Sequence, residues 1–480
     1  MRDGSSCEPS VSTSDGVTSA PPRLRIALLL AAVAVAFADS SIVVLAVPQL
    51  LGSFSRSVAA VSWVITSFNL AVVIVATVTP ALLSRLGARR AALLGEATFL
   101  TASLACAAAP NLPVLVTARA AQGVGAAVLL AAAIPLLVEL SGDPVRGVRL
   151  WSATAAVGAA LGPTLGGLLT ELFGWRAIFI AQAPLAAAAF RVVASTRTAA
   201  AGTKLKERAR FGQPKGERGK HEQEGAGPSR VALALALVSG ALVGALFLVV
   251  VLLIDVWTLS PLRAALVVSA MPVATLSGRW FLRRLDWATA AAGGAVLLVL
   301  ALIALAFLPG QQLGFAMAAL ALGGLGLGLA VPSLTERSLR GMQDVSSTGS
   351  RSLAVRHAGL VLVLLCSAPL LGHDLSLSKR QAVVSGARTL LSAPLPMAVK
   401  LPLALDLADS LRSAPESRLP NLRPVFDRHL ARSDVAGQQL YRSLDSGTRN
   451  ALTGSFRRTF FLCALMAALA ALVVRFRRRE

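Results

Sequence analysis

Long apolar runs alternate with short polar segments along most of the chain. About twenty apolar residues in a helix cross the hydrocarbon core of a bilayer. On that basis the pattern predicts twelve spans, six at 25–193 and six at 231–480. The polar stretches at 1–24 and 194–230 are rich in Ser, Gly, Lys, Arg and Glu, so they are predicted to be a disordered tail and a basic linker.

A mixed stretch at 373–457 interrupts the second half before its last span. It has helical periodicity and proline breaks, but no apolar run long enough to cross a bilayer. The predicted span before it, at 357–371, is short and polar at its start. A flexible loop and a helical cap over the mouth of the bundle both fit the stretch, and the periodicity favours the cap.

Composition indicates an all-α polytopic membrane protein. Hydrophobic residues make up 55% of the chain and charged residues 15%, with a mean hydropathy of +0.69. The formal charge of +22 would suggest nucleic acid in a soluble chain, but here the basic residues fall between apolar runs. That placement excludes nucleic acid as a partner and marks cytoplasmic segments, so both termini are expected to be cytoplasmic. The basic segments are Arg85 to Arg90, Arg146 to Arg149, the linker, Arg279 to Arg284, Arg337 to Arg356 and Arg475 to Arg479.

The fifth predicted span carries small residues around a proline, namely Gly158, Gly162, Pro163, Gly166 and Gly167. Glycines four apart make a flat helix face, which by itself indicates a packing seam between membrane helices. The whole string, G-x-x-x-G-P-x-x-G-G followed by Trp-Arg, is more specific. It resembles the antiporter motif in the fifth helix of the major facilitator superfamily.

Asp39 lies inside the first span, in the string ADSSIVVLAVP. A carboxylate at membrane depth costs about 2.5 to 3.5 kcal/mol on insertion scales, so it is expected to face water or a bundle interior. The alternative is an Asp that caps a broken helix near the outer surface. The string is similar to the first-helix motif of drug:proton antiporters, with Val44 in place of the family's Asn. This resemblance implies that Asp39 carries the proton.

The fourth span contains Arg119, Gln122, Gly123 and Gly125, which resemble the superfamily's fourth-helix motif R-x-x-Q-G-x-G-A. A guanidinium keeps its charge, so it must be paired or solvated when buried. Asp39 is one possible partner of Arg119, and backbone carbonyls are the alternative. The resemblance implies that Arg119 modulates the Asp39 carboxylate, and Gln122 is a candidate for the substrate path.

Polar residues of the second and third spans are weaker candidates. Thr66 and Asn69 lie in WVITSFNL, which resembles the family's second-helix motif through Trp63, Thr66 and Leu70. Both are candidates for the substrate path, although an interhelical hydrogen bond explains Asn69 equally well. Glu96 is expected near the cytoplasmic end as a partner of Arg85 or Arg89, with a second protonation site as the alternative.

Two candidates remain in the second half. Asp255 follows the seventh span, where a solvated carboxylate is favoured over a proton-entry group. His357 is expected at the membrane interface rather than in a proton relay.

The segment PALLSRLGARR resembles the loop between the second and third helices of the superfamily, through Arg85, Gly87, Arg89 and Arg90. Gly87 allows a tight turn, and the arginines anchor the loop at the cytoplasmic face. Ser84 replaces the motif's Asp. The resemblance therefore implies a weakened latch between the two halves.

Together these motifs imply a major facilitator fold of two six-helix bundles, similar to the core of the fourteen-helix multidrug branch on a twelve-helix plan. The expected function is proton-coupled efflux of a small amphipathic or hydrophobic compound across a bacterial cell membrane. The expected partners are the substrate, protons and the lipid bilayer, and the protein is expected to be a monomer. No cofactor or metal is expected, and a membrane enzyme is the least favoured class. An importer or facilitator of the same fold, or a receptor that uses the outer loop, remains an alternative.

Overall fold

The computed structural model describes residues 22–195, 228–281, 285–339, 345–413, 421–430 and 435–475. These residues form sixteen α-helices and two short irregular turns, and no strand is found among them. Nearly all of the predicted tail (1–24) and linker (194–230) lies outside the described residues.

The first half of the chain is built from six helices and one 3₁₀ turn. Their bounds are α1 Pro22–Ile42, the 3₁₀ turn Val43–Ala46, α2 Val47–Phe54, α3 Val58–Ala108, α4 Leu112–Ser141, α5 Pro144–Phe173 and α6 Arg176–Ser195. Because α2 continues directly from the 3₁₀ turn, α1 and α2 together make one crossing.

The second half repeats this plan and adds three helices before the last crossing. The elements are α7 Pro228–Val251, the π turn Leu252–Val256, α8 Pro261–Val268, α9 Ala270–Phe281, α10 Trp287–Ala306, α11 Leu313–Leu339, α12 Val345–Ser392, α13 Met397–Ser413, α14 Arg423–His429, α15 Val435–Gly454 and α16 Arg457–Arg475.

Ten helical stretches of the described residues are long and apolar enough to cross a membrane, judged by length and composition. One of them, α3, has 51 residues, which is about 77 Å of helix and too long for one crossing. Gly87 breaks it with φ 78° and ψ 156°, which fits a turn between two spans. With α3 counted twice and α5 added, the described helices make twelve crossings in two bundles of six.

The helix pairs of the first half recur in the second. The first crossing packs on the fifth and sixth, the second on the fourth, and the third on the fourth and sixth. The seventh crossing packs on the eleventh and twelfth, the eighth on the tenth, and the ninth on the tenth and twelfth. This internal repeat is typical of transporters whose halves move around a shared site.

Glycines of α5 bring it against α1 along most of its length. A Cβ added at Gly158 would overlap the carbonyl oxygen of Ala34, and one at Gly166 would overlap that of Ile42. Gly162 lies in the same way against Ser41. Three glycines of the predicted seam therefore form the α1–α5 contact, which sets the depth and rotation of the helix that carries Asp39. Gly167 lies instead against Pro261 and Ala265 of α8.

The two halves touch near both ends of the bundle. We call the end with the turn Arg85–Arg90 the basic face. Near the opposite face α5 meets α8, where the hydroxyls of Thr164 and Ser269 are 2.6 Å apart. Towards the basic face Leu353 and Ala354 of α12 belong to the apolar core of the first half. The described conformation is thus closed by contacts between the halves on both sides.

The predicted eleventh span, 357–371, is only the middle of α12, which has 48 residues. The polar residues that made its start look like a loop instead face the first half. Beyond 372, α12 continues into a helical cap made of residues 373–454, with α13, α14 and α15. The cap has its own apolar core, formed by Leu390, Leu403, Leu407, Leu422, Val425, Phe426, Leu440 and Leu444.

The cap is bonded to the second half. Arg449 Nη1 donates to the Val256 carbonyl oxygen at 3.4 Å, and Trp257 Nε1 donates to Thr453 Oγ1 at 3.2 Å. Ser455 Oγ donates to Ser378 Oγ at 2.7 Å, which joins the base of α16 to α12. The cap therefore extends the second bundle on the face opposite the basic one.

Replacing Gly166 by Ala should lower the thermal stability of the purified protein in detergent, because the added methyl overlaps backbone of α1. Gly293→Ala is the matched control, since a Cβ there meets nothing within 4 Å. The control should be neutral or slightly stabilising, as helical Gly costs about 0.5–1 kcal/mol relative to Ala. Equal melting temperatures for the two variants would contradict the seam.

Acid should loosen the cap. Asp406 Oδ2 lies 3.0 Å from His429 Nε2 and 2.9 Å from Arg428 Nη1. The hydrogen bond from His429, aided by the charge of Arg428, lowers the pKa of Asp406 from its ordinary 3.8. A carboxylate whose pKa is lower in the folded than in the unfolded state stabilises the fold at pH values above its unfolded pKa. This stabilisation is lost as the pH falls through the folded pKa.

The chain has one tyrosine, Tyr441, whose ring lies 5.4 Å from that of Phe426 in the cap core. Fluorotyrosine at this position should therefore show a change in its ¹⁹F resonance below about pH 3.8, and Asp406→Asn should show a similar change already at neutral pH. The effect should be small, because exposed ion pairs contribute little. Asp286→Asn, which keeps a capping side chain at α10, should leave the resonance unchanged. A pH-independent resonance would contradict the prediction.

Candidate functional site

Asp39 and Arg119 form an ion pair inside the first bundle. Asp39 lies on α1, one turn before the 3₁₀ turn, and Arg119 lies on α4. Arg119 Nη1 donates to Asp39 Oδ2, and both side chains are 0% exposed. The sequence left two kinds of partner open for Arg119, Asp39 and backbone carbonyls. The structure shows both, since the Val64 carbonyl also accepts a hydrogen bond from the guanidinium.

Two glutamines complete the surroundings of Asp39. Gln182 Nε2, from α6, donates to Asp39 Oδ1 at 2.6 Å. Gln122 Nε2 donates to Gln182 Oε1 at 2.7 Å and to Ser103 Oγ at 2.9 Å. The carboxylate is therefore held by a hydrogen-bonded network that joins α1, α3, α4 and α6.

Arg119 has partners that do not depend on Asp39. Its Nε donates to the Val64 carbonyl oxygen at 2.9 Å, and Nη1 also donates to Gln122 Oε1 at 2.6 Å. The guanidinium carbon lies 4.4 Å from the centre of the Phe68 ring and 5.7 Å from that of Phe179. Nη2 is buried and has no hydrogen-bond partner among the described residues. Arg119 would thus keep several contacts if Asp39 lost its charge.

Close backbone packing places these side chains together. The seam with α5 fixes α1, and Gly123 on α4 lies against the backbone of Phe68, so α4 approaches α3 closely there. The 3₁₀ turn then interrupts the regular helix just beyond Asp39, and such turns inside helices often mark hinges.

The arrangement is suited to proton binding. A buried ion pair is stabilised only while both partners are present, and loss of one leaves an uncompensated charge that costs about 3–5 kcal/mol. A proton on Asp39 removes one charge, and Arg119 then depends on the Val64 carbonyl, Gln122 and the two rings. Protonation therefore changes which groups hold α1 against α4.

Glu96 lies elsewhere. Its side chain is 1% exposed, and Oε2 has no hydrogen-bond partner among the described residues. The expected pairing with Arg85 or Arg89 is absent from the described ion pairs, because Glu96 points into the bundle and Arg89 donates instead to the carbonyls of Val193 and Ala194. Glu96 shares a buried face of α3 with Ser103, seven residues further along.

Asp255 is not a solvated carboxylate. It lies in the π turn that follows α7 and is 2% exposed. Its side chain is therefore enclosed by the bundle. Asp255 is in the second half, so it does not join the Asp39 cluster.

Asn69 and His357 meet across the two halves. His357 Nδ1 on α12 lies 2.6 Å from Asn69 Oδ1 on α3, and Ser40 Oγ donates to the same oxygen at 3.3 Å. His357 is 7% exposed, so the expectation of a place at the membrane interface is wrong. It is buried because α12 begins at residue 345 and brings His357 deep between the halves. Thr66, by contrast, bonds only the Ser62 carbonyl of its own helix, at 3.0 Å.

The sequence predicts that Arg356 ends a cytoplasmic segment, Arg337 to Arg356, and this prediction is wrong for Arg356. It lies on α12 about 17 Å beyond the helix start. Its guanidinium carbon is 5.8 Å from the centre of the Phe37 ring on α1. Arg356 therefore lies between the halves, beside His357.

The residues of the basic turn hold it to the first half. Arg85, Arg90 and Ser84 are exposed, and the Ser84 hydroxyl donates to the Ala81 carbonyl of its own helix at 2.8 Å. Arg89 is partly buried and bonds the end of α6. The described hydrogen bonds of these residues do not reach the second half.

Sequence reasoning missed Gln182 and Ser103 as members of the Asp39 network. It also missed His357 and Arg356 as residues that lie between the halves. Gln182 had a usable signal, since it is the one strongly polar residue in the apolar string AIFIAQAPLAAAAF. No sequence signal pointed to Phe68 as the ring that contacts Arg119, because phenylalanine is common in apolar spans.

A family model described as Major Facilitator Superfamily matches residues 28–350. The multidrug resistance protein Stp of Mycobacterium tuberculosis is 36% identical over 154 residues, which are 32% of this chain and 29% of that protein. The methylenomycin A resistance protein of Streptomyces coelicolor is 32% identical over 192 residues, 38% of this chain and 40% of that protein. The matches thus span less than half the length of these relatives.

A solved structure has the same fold. It is the inward-facing, unoccupied form of a bacterial homolog of the human lysosomal transporter Spinster, with a TM-score of 0.63 and 16% identity. The alignment covers 95% of this chain and 98% of that one. This likeness extends the architecture to almost the whole chain.

A double-mutant cycle should detect the ion pair. Asp39→Asn and Arg119→Gln should each lower the melting temperature of the purified protein, and the double variant should lose less than the sum of the two. Asp39→Asn should be the more damaging, because it leaves a guanidinium that cannot become neutral, whereas a lone carboxylate can bind a proton. Additive losses would show that the two groups do not interact.

Proposed function

The chain belongs to the Major Facilitator Superfamily, and on this premise we propose that it exports a small amphipathic or hydrophobic compound in exchange for protons. Its two six-helix bundles would alternate access between the faces of the membrane. Two relatives, which match 32% and 38% of the chain, are named for multidrug and antibiotic resistance, and this supports export as the direction.

The observation that carries the proton coupling is the buried pair of Asp39 and Arg119. Asp39 is the one carboxylate that the described residues place in an ion pair at 0% exposure on both sides. A group that drives transport must bind a proton in one conformation and release it in another. The Arg119 guanidinium, which favours the ionised carboxylate, supplies the competing interaction.

The proposed cycle follows from the contacts of Arg119. A proton from outside neutralises Asp39 and weakens its contact with Arg119, which the Val64 carbonyl and Gln122 still hold. α1 is then free to shift at its 3₁₀ turn, and the return swing of the halves no longer moves a buried carboxylate. Release of the proton inside restores the pair. A charge moved through the full potential contributes about 2.3 kcal/mol per 100 mV.

The remaining candidates have secondary roles in this proposal. Glu96 continues the buried face of α3 from Ser103 towards the basic face, so it is the next candidate for a proton on its way in. Asp255 is the corresponding candidate in the second half. Asn69, which contacts His357 across the two halves, is the favoured substrate-path candidate, whereas Gln122 belongs to the Asp39 network and Thr66 bonds its own helix.

The membrane placement is proposed from charge. The basic face would be cytoplasmic, with both termini on that side and the helical cap outside. The linker at 194–230 would then join the two bundles on the cytoplasmic side. We propose that a monomer in the bacterial cell membrane is the working unit, because each bundle pair contains a complete Asp39 cluster.

Inverted membrane vesicles test the coupling. Under an imposed proton gradient, vesicles with the intact protein should accumulate fluorescent amphipathic dyes, and collapse of the gradient should stop this. Asp39→Asn should abolish gradient-driven accumulation but keep exchange of labelled for unlabelled dye, since exchange needs no proton release.

Asp445→Asn is the control for that test, because it removes a carboxylate that pairs with Arg449 in the cap, far from the cluster. It should transport like the intact protein. Accumulation that survives Asp39→Asn would reject Asp39 as the carrier and move the proton site to Glu96 or Asp255. Dye uptake in right-side-out vesicles alone would favour import.

A further inference from the structure

A second polar group of residues lies between the halves, separate from the Asp39 cluster. α12 brings Arg356 to the ring of Phe37 and His357 to Asn69. Phe37 and Ser40 are three residues apart on α1 and so share one helix face, whereas Asp39 points away from it into the first bundle. The group thus lies at the interface of the two repeats, where transporters of this architecture bind substrate.

Arg356 has no counter-charge there. Among the described residues its one recorded interaction is with the Phe37 ring. A guanidinium stays charged, and at membrane depth it needs a partner anion or a water-filled space. Arg356 is partly buried, and its guanidinium lies between the halves, beside the Phe37 ring of α1.

The charged groups on the neighbouring helices do not supply that anion. Asp39 is engaged by Arg119, and the carboxylates of Glu96 on α3, Glu139 on α4 and Asp255 after α7 form no described ion pair with Arg356. Asp39 and Arg119 cancel each other. Among the described residues, no carboxylate is therefore paired with the Arg356 guanidinium.

His357 adds a second polar atom. Its Nδ1 is occupied by Asn69, and Nε2 has no hydrogen-bond partner among the described residues. Arg356, His357 and the Phe37 ring together provide a charged donor, an imidazole and an aromatic surface.

We propose that this group binds the acidic group of the transported compound, and that the substrates are amphipathic organic anions with a carboxylate or sulfonate. Arg356 pairs with the acid, since guanidinium and carboxylate match in a two-pronged geometry. The apolar part of the compound packs towards Phe37. The proposal rests on the proposed function, because it names the substrate class of that transport. A cation of the same shape is rejected by like charge.

Binding to the purified full-length protein tests this without transport. Three radiolabelled probes share one ring system: naphthalene-2-carboxylate, naphthalen-2-ylmethanol and naphthalen-2-ylmethylammonium. Equilibrium dialysis should find the carboxylate bound about tenfold or more tighter than the ammonium probe, as expected for a hydrogen-bonded ion pair. The alcohol should lie between them.

Arg356→Gln should remove the preference for the carboxylate, and Arg356→Lys should keep part of it. Arg351→Gln is the matched control, because it removes the same charge from an exposed position on the same helix. It should bind like the intact protein. If Arg356→Gln does not yield folded protein, the test compares the carboxylate preference of Arg356→Lys with that of Arg351→Gln. The preference should be reduced in the first variant and unchanged in the second.

Equal binding of the three probes, tighter binding of the ammonium probe, or a carboxylate preference unchanged in the Arg356 variants would overturn the proposal. So would no measurable binding of the carboxylate. Anion-selective, Arg356-dependent binding without gradient-driven transport would uphold this site and reject proton-driven export. Gradient-driven transport of cationic dyes that is unchanged in the Arg356 variants would uphold proton-driven export and reject this site.

Discussion

A charged pair in the middle of an apolar bundle is the constraint on which the first half depends. Asp39 and Arg119 are both fully buried, and each would be costly alone. The surrounding elements reduce that cost. α6 supplies Gln182, α3 supplies the Val64 carbonyl and the Phe68 ring, and α4 supplies Gln122. Four crossings are thereby tied to one pair, and a change in its charge is felt by all of them.

Close helix packing makes this network possible. Hydrogen bonds of 2.6–2.9 Å between different helices need backbones that approach without intervening methyl groups. Gly158, Gly162 and Gly166 allow it between α1 and α5, and Gly123 between α4 and α3. In lipid such small residues replace the hydrophobic effect as the source of helix association. The hydrogen bonds that hold the Asp39–Arg119 pair therefore depend on the glycines that let the helices approach.

Most of the fold could be predicted from the sequence, because apolar runs of bilayer length have few alternatives. The Asp39–Arg119 pair was also within reach, since buried charges must find partners. The misplacement of Arg356 and His357 has a clear physical origin. Arg356 and His357 open an apolar run, and sequence alone places such residues at the surface; only the true start of α12 at Val345 shows that they lie between the halves. Asp255 was misplaced for a similar reason, because the π turn after α7 is not visible in the sequence.

The two polar groups are linked through α1. Asp39 faces the first bundle, whereas its neighbour Ser40 faces the interface and donates to Asn69, which also contacts His357. A shift of α1 that follows a change of charge at Asp39 must move Ser40 as well, since both lie on one helical turn. The Asn69–His357 contact, and with it the position of Arg356, then responds to the proton. Under the proposed function, an acid bound at Arg356 and a proton bound at Asp39 would each act on the same turn of helix, which is the physical requirement for exchange.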